Sequence, residues 1–236
     1  NDWGKNVTVE TFDKEYGLLQ RFYAKYLEMR PTIITGWNVD GFDIPYLYNR
    51  AQQIVGKNIA DCLSPVSKVY WNKYREKYMI AGVSCLDYLM LYKNFTFSSK
   101  PSYRLDEIGK SEVGTAKISY DGTLNDLYEN HLEDFVKYNI HDVRIVKKLD
   151  DKLDFIDVAR GICHVGHVPY EDIVYDSRFL EGAILVYLKK LGVVAPNKTP
   201  RDDVKKDGKF AGAYVQDPQK GRHDWVYDLD ITSMYP

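Results

Sequence analysis

Leu18, Leu19, Phe22, Tyr23, Tyr26 and Leu27 recur at helical spacing, which predicts a helix reaching Met29 and stopped by Pro31. A short strand at Val7–Val9 precedes it. Thr32–Trp37 is a β-rich apolar run of the kind that forms a buried strand. A loop, Asn38-Val39-Asp40-Gly41-Phe42-Asp43, leads to a second helix over Tyr46–Val55, opened by Pro45 and closed by Gly56. Residues 66–92 then alternate. Val66–Trp71 and Lys77–Val83 flank a polar tip, Asn72–Glu76, as a hairpin would, and Cys85–Tyr92 continues as an apolar segment. Thr96–Pro101 reads as a loop, Tyr103–Ile108 as a short helix and Thr115–Gly122 as a strand and turn. From Leu124 to Ile162 the period is helical almost throughout. One helix from Leu132 to Ile162 would be about 45 Å long, so a break within it is expected. Asp176-Ser177 caps a last helix through Leu191, ended by Gly192. Helix, strand and helix in this order indicate an α/β architecture.

The pattern changes after Gly192. Ala195–Gly221 carries Pro196, Pro200, Gly208, Gly212, Pro218 and Gly221, which reads as a linker or extended wrapped segment. Trp225–Ile231 follows as a strand candidate. Composition adds exclusions. The 236 residues are 44% hydrophobic and 28% charged, so disordered and low-complexity classes are out, and no window approaches a membrane span. No signal peptide heads the chain. Cys62, Cys85 and Cys163 are odd in number and lack zinc spacing, which points to a reducing, intracellular setting. Net charge is only −2, but residues 65–110 carry eight basic against four acidic residues, and 111–142 two against seven. A basic stretch beside an acidic one suits a cation-dependent enzyme acting on a polyanion.

Three constellations can carry chemistry. Asn38–Asp43 follows a strand and precedes a helix, where α/β proteins bind ligands; Asp43 could equally be the cap of the following helix. Tyr138 and Asp142 are four apart on one helical face. They could hold a metal ion and orient a water, or be a buried tyrosine beside a solvated acid. Asp228 and Asp230 share one face of a strand that runs into Ser233-Met234-Tyr235-Pro236, an unusual turn or an ordinary capped one.

Taken in order, Asn-x-x-x-Phe-Asp at 38–43, Tyr-x-x-x-Asp at 138–142 and Asp-x-x-Ser-x-Tyr-Pro at 230–236 resemble the family B DNA polymerases. The first two match motifs Exo II and Exo III of the proofreading exonuclease, the third motif A of the palm. Thr35–Asn38, Leu86-Asp87-Tyr88, Leu91-Tyr92-Lys93, Pro101–Asp106 and Tyr120-Asp121-Gly122 are similar to the replicative polymerases of T-even-type bacteriophages. The resemblance implies an α/β, ribonuclease H-like 3′→5′ exonuclease fold. That fold is a mixed sheet flanked by helices, truncated here at its N-terminal strands, with an extended linker to a palm strand. Residues 1–165 would be a partial exonuclease domain, 166–194 a helical connection, 195–224 the linker and 225–236 the start of the palm.

The implied roles are specific. Asp43 and Asp142 would bind divalent ions, Mg²⁺ or Mn²⁺ in a two-metal site, and Tyr138 would orient the attacking water. Phe42 would abut the 3′ nucleotide and Asn38 would shape the site. Phe210 and Gly212 would contact DNA, although Phe210 stands where the family has a tyrosine. Asp230 would hold a polymerase ion with the Ile231 carbonyl, and Tyr235 would stack under the incoming sugar. The hairpin cations Lys68, Lys73 and Arg75 would face nucleic acid in strand separation, or simply solvent. Partners would be primer-template DNA, a single-stranded 3′ end and deoxynucleotides, in the cytoplasm of an infected bacterial host.

The family's first acidic motif is missing. The one Asp-x-Glu, Asp13-Lys14-Glu15, opens a helix, where Asp13 or Thr11 is a natural cap. The sequence therefore reads as an excerpt, nearly inactive by itself, with an open sheet edge that invites an edge-strand dimer. The alternatives are a stand-alone ribonuclease H-like nuclease acting on DNA or RNA, and a non-catalytic nucleic-acid-binding module.

Overall fold

The computed structural model describes residues 7–115, 122–197, 216–227 and 229. The chain divides into two units, Asn1–Val194 and Ala195–Pro236.

In the first unit, helix α1 spans Glu15–Met29 and buries Leu19 and Tyr23. The Tyr26 hydroxyl donates to the Leu63 carbonyl at 2.8 Å. Leu18, Phe22 and Leu27 are exposed, so the apolar stripe is narrower inward than its period suggested. Arg30, in the left-handed region, ends the helix. Strand β1, Ile33–Gly36, follows. The segment expected as a loop is instead a π-helical turn, Val39–Asp43, running directly into α2, Ile44–Ile54. A short helix α3, Lys57–Ala60, leads to the hairpin β2 (Val69–Asn72) and β3 (Lys77–Ile80). Its strands are shorter than predicted, but the tip and the antiparallel pairing of Asn72 with Lys77 agree with the alternation.

Strand β4, Ser84–Asp87, pairs in parallel with β1, Ile33 opposite Ser84 and Gly36 opposite Asp87. Side chains alternate across these strands. Leu86 and Ile33 enter one core with Tyr88, Tyr92, Ile145, Leu149 and Phe155. Cys85 and Ile34 enter another with Tyr23, Ile44, Tyr48 and Leu63. The parallel pair thus lies between two layers, as an α/β fold requires. The expected mixed sheet appears, among the described residues, as this parallel pair and the separate hairpin. β4 is buried over Cys85–Asp87, whereas β1 is only half-buried, with Thr35 exposed.

Helices α4 (Tyr88–Phe95), α5 (Leu105–Val113), α6 (Leu124–Asn130), α7 (Leu132–Leu153), α8 (Phe155–Gly166) and α9 (Asp176–Lys190) complete the unit. The expected break in the long helix falls at Asp154, whose left-handed backbone (φ 53°) ends α7 and turns the chain into α8. Three expectations fail. Val7–Val9 forms no strand: among the described residues no partner lies alongside it, and Val9 is exposed. Neither Asp13 nor Thr11 caps α1; Lys14 holds that position with no side-chain cap bond. Asp176 lies inside α9 rather than capping it, behind Tyr175. Most of the Thr115–Gly122 strand-and-turn lies outside the described residues. All three cysteines are free.

In the second unit, residues 216–227 have no regular secondary structure and are exposed. Trp225–Tyr227 are not in the strand that their composition predicted; among the described residues no partner strand lies alongside them to hold a β conformation. Phe210, Gly212, Asp230, Ile231 and Tyr235 lie outside the described residues.

Candidate functional site

A cavity of about 1280 Å³ opens where β1 ends, lined by the π turn, the 103–107 segment and one face of α7. Trp37 fixes its inner wall: the indole N–H donates to the Tyr103 carbonyl at 3.1 Å and the ring lies against Tyr88 and Tyr92. From α7 come Asn139, Asp142, Val143, Val146, Lys147 and Asp150. They are spaced by three and four and so form one stripe beside the buried Ile145 and Leu149.

The π turn starts from one residue with special backbone needs. Asn38 occupies the left-handed region (φ 64°), which asparagine tolerates better than most residues. Its side chain folds over Gly41, where a Cβ would lie 2.6 Å from the Asn38 Oδ1. The N–H groups of Gly41 and Phe42 both donate to the Asn38 carbonyl, at 3.2 and 3.0 Å. Asp43 therefore sits in helical backbone (φ −65°, ψ −48°) and makes no side-chain cap bond, so the capping role does not apply to it. Its carboxyl is exposed at the surface yet flanked by enough protein that desolvation pushes its pKa upward. Phe42 and Tyr46 are exposed and stack nearly parallel, centroids 6.0 Å apart.

Asn38, Phe42, Asp43 and Asp142 are thus brought to one cavity. Tyr138, one turn before Asp142, is half-buried and not among the lining residues. Lys68 and Lys73 are exposed on the hairpin, Lys68 lying 5.6 Å from the Tyr70 ring centroid. Arg75 is turned inward, paired with Asp172 and lying 5.0 Å from the Tyr175 ring centroid. Glu15 forms a two-pronged pair with Arg50 at 2.5–2.6 Å, well engaged away from the cavity.

The donor set suits one kind of ion. Among the described residues no three His, Cys, Asp or Glu side chains converge as a metal cage. The cavity is lined by six carboxylates, Asp43, Asp106, Glu107, Asp142, Asp150 and Asp151; such a set in an open cavity matches a hard divalent ion such as Mg²⁺, which keeps several waters and takes the rest of its shell from a substrate phosphate. Sequence reasoning gave no role to Asp87. The signal was present: an acid between an apolar strand and a helix in Leu86-Asp87-Tyr88 marks a cap, and Asp87 does accept from the Leu89 N–H at 3.0 Å.

Residues 2–108 match the family model described as DNA polymerase family B, exonuclease domain. Over 231 residues the chain is 35% identical to the DNA-directed DNA polymerase of Enterobacteria phage T4, covering 95% of this chain and 25% of that protein. The DNA-directed DNA polymerase of Escherichia phage RB69 matches with the same identity and coverage. DNA polymerase 1 of Saccharolobus solfataricus is 29% identical over 249 residues, 98% of this chain and 27% of that protein. The chain spans about a quarter of the length of these curated relatives.

Proposed function

We propose that the chain, whose residues 2–108 match the exonuclease-domain model of DNA polymerase family B, is the metal-dependent proofreading part of a DNA-directed DNA polymerase of that family. The observation that carries this reading is the shared cavity of Asn38, Phe42, Asp43 and Asp142, three of them from a strand-end turn and one from a helix 100 residues later. Its substrate is the single-stranded 3′ end of a primer. Phe42 abuts the terminal base, Asn38 shapes the pocket, and Asp43 and Asp142 take Mg²⁺ or Mn²⁺. The ion supplies charge neutralisation at the phosphodiester and an activated water. Tyr138, one turn before Asp142 and off the cavity lining, is the residue that the family resemblance offers to orient that water. Residues 1–165 are the exonuclease part, 166–194 and 195–224 the connection, and 225–236 the entry to the palm. There Asp230 and the Ile231 carbonyl serve a second, polymerising site and Tyr235 selects the deoxyribose. Phe210 and Gly212 track the DNA between the sites, and Lys68 and Lys73 face it from the hairpin. The protein works in the cytoplasm of an infected bacterial cell.

By itself the chain is nearly inactive, because two-ion hydrolysis needs more converging carboxylates than the described residues supply. The test uses a 3′-labelled single-stranded oligonucleotide with Mn²⁺. The reading expects binding of the 3′ end, weakened about tenfold or more by Phe42→Ala and Asp43→Asn, with hydrolysis near background. Equal binding by wild type and both variants sinks it. Fast hydrolysis abolished by Asp43→Ala would overturn the inactivity. The half-buried β1, paired on one side by β4, also offers an edge for dimerisation. Light scattering at rising concentration would show a dimer; a strict monomer removes this part of the proposal.

A further inference from the structure

Among the described residues Asp87 is the one buried charged side chain, 5% exposed, at the C-terminal end of β4. Its carboxylate receives three backbone N–H groups. Oδ1 accepts from Asn38 at 3.0 Å and Leu89 at 3.0 Å, and Oδ2 accepts from Asp40 at 3.2 Å. The Leu89 bond is an ordinary helix cap. The other two reach across 49 and 47 residues to the π turn, and they are possible because β1 and β4 lie in parallel with Gly36 opposite Asp87. Asn38 is held in a left-handed conformation, Gly41 is admitted beneath its side chain, and Phe42 and Asp43 follow within one turn. On the far side Lys77 pairs with Asp40 at 2.5 Å, so Asp87 grips the turn's backbone while the hairpin grips its side chain.

We propose that Asp87 is a positioning residue: by binding the Asn38 and Asp40 N–H groups it fixes the π turn and so sets Phe42 and Asp43 at the cavity. This rests on the proposed role of Asp43 and deepens it. A buried carboxylate is costly to desolvate, and burial does raise the Asp87 pKa despite its three donors. A cap for α4 alone could be made by an uncharged serine or threonine. The acid's second oxygen is used on the turn, which a cap would not need.

The test is Asp87→Asn, read by NMR and Mn²⁺ binding. Asparagine is nearly the same size and its Oδ1 can keep the Asn38 and Leu89 bonds. Its amide nitrogen cannot accept, so the Asp40 N–H loses its partner. The Asp40 amide should shift upfield and exchange with solvent at least about tenfold faster, while Leu89 stays protected. The Phe42 and Asp43 resonances should move, and apparent Mn²⁺ affinity at Asp43 should fall about three- to tenfold, with the Ile145 and Leu149 methyl signals unchanged. A purely structural role would leave Phe42, Asp43 and Mn²⁺ affinity unmoved, and that result overturns the proposal. In the wild-type chain, scalar couplings across the hydrogen bonds from Asn38 and Asp40 nitrogens to the Asp87 Cγ support it without any substitution; their absence counts against it. Should wild type bind no Mn²⁺, the metal reading fails separately, and the displacement of Phe42 and Asp43 alone decides the role of Asp87.

Discussion

Glu112, at the end of α5, ties together the elements that back the cavity. Its Oε1 accepts from the Tyr92 hydroxyl at 2.7 Å and from Lys100 at 3.1 Å, and its Oε2 pairs with Lys152 of α7 at 3.2 Å. These partners, the tyrosine hydroxyl foremost, hold its pKa down to about 2 against burial, from an ordinary 4.5. A depressed acid stabilises the fold fully above its unfolded pKa, and that stability is lost as pH falls from about 4.5 through about 2. The full displacement corresponds to roughly 3 kcal/mol at ~1.36 kcal/mol per pH unit. Lys152 is half exposed, so screening reduces the expected value to about 1–2 kcal/mol. Glu112→Gln, which can still accept from Tyr92, should therefore unfold in urea about 1–2 kcal/mol more easily than wild type at pH 7. The gap should narrow by pH 3 and nearly vanish at pH 2. A gap that stays constant from pH 7 to 2 would refute the reasoning, because it would show that packing, not charge, sets the cost.

Three further outcomes are expected. Gly41→Ala puts a Cβ 2.6 Å from the tip of the Asn38 side chain, which can swing away; stability should change by less than about 1 kcal/mol while the Asn38 side-chain amide signals shift. Gly182→Ala meets the backbone carbonyl of Gly166 at 2.1 Å, where α8 and α9 touch and nothing can yield. It should cost about 1–3 kcal/mol or more by urea denaturation. Ile145→Ala, at a fully buried position shared by α5 and α7, should cost about 2–5 kcal/mol in the same assay.

Local signals carried far in this sequence. The period of α1, the tip of the hairpin and the break in the long helix follow from side-chain spacing and turn chemistry, which act over a few residues. What stayed hidden depends on partners distant in sequence. Val7–Val9 has strand composition but, among the described residues, no neighbouring strand to satisfy it. The Asp43 cap was plausible until the π turn carried helical backbone through it, and that turn depends on Asp87, 47–49 residues away from the N–H groups it binds. Arg75 looked like a solvent-facing cation on a hairpin; its partner Asp172 is 97 residues on. Of the motifs at 38–43 and 138–142, which the family resemblance joined, Asn38, Phe42, Asp43 and Asp142 line one cavity and Tyr138 does not. Lys68 and Lys73 are exposed on the hairpin, and the role proposed for them needs nucleic acid, which no single-chain pattern encodes.

The central claim is that Asp43 and Asp142 jointly take a divalent ion. The direct measurement is paramagnetic broadening of backbone amides during a Mn²⁺ titration of the whole chain. The account predicts that residues 41–44 and 139–143 broaden first and together, and that Asp43→Asn with Asp142→Asn abolishes this while the methyl spectrum of the core is unchanged. Broadening centred elsewhere on the cavity, such as Asp106 or Asp150, or broadening that survives both substitutions, would contradict it.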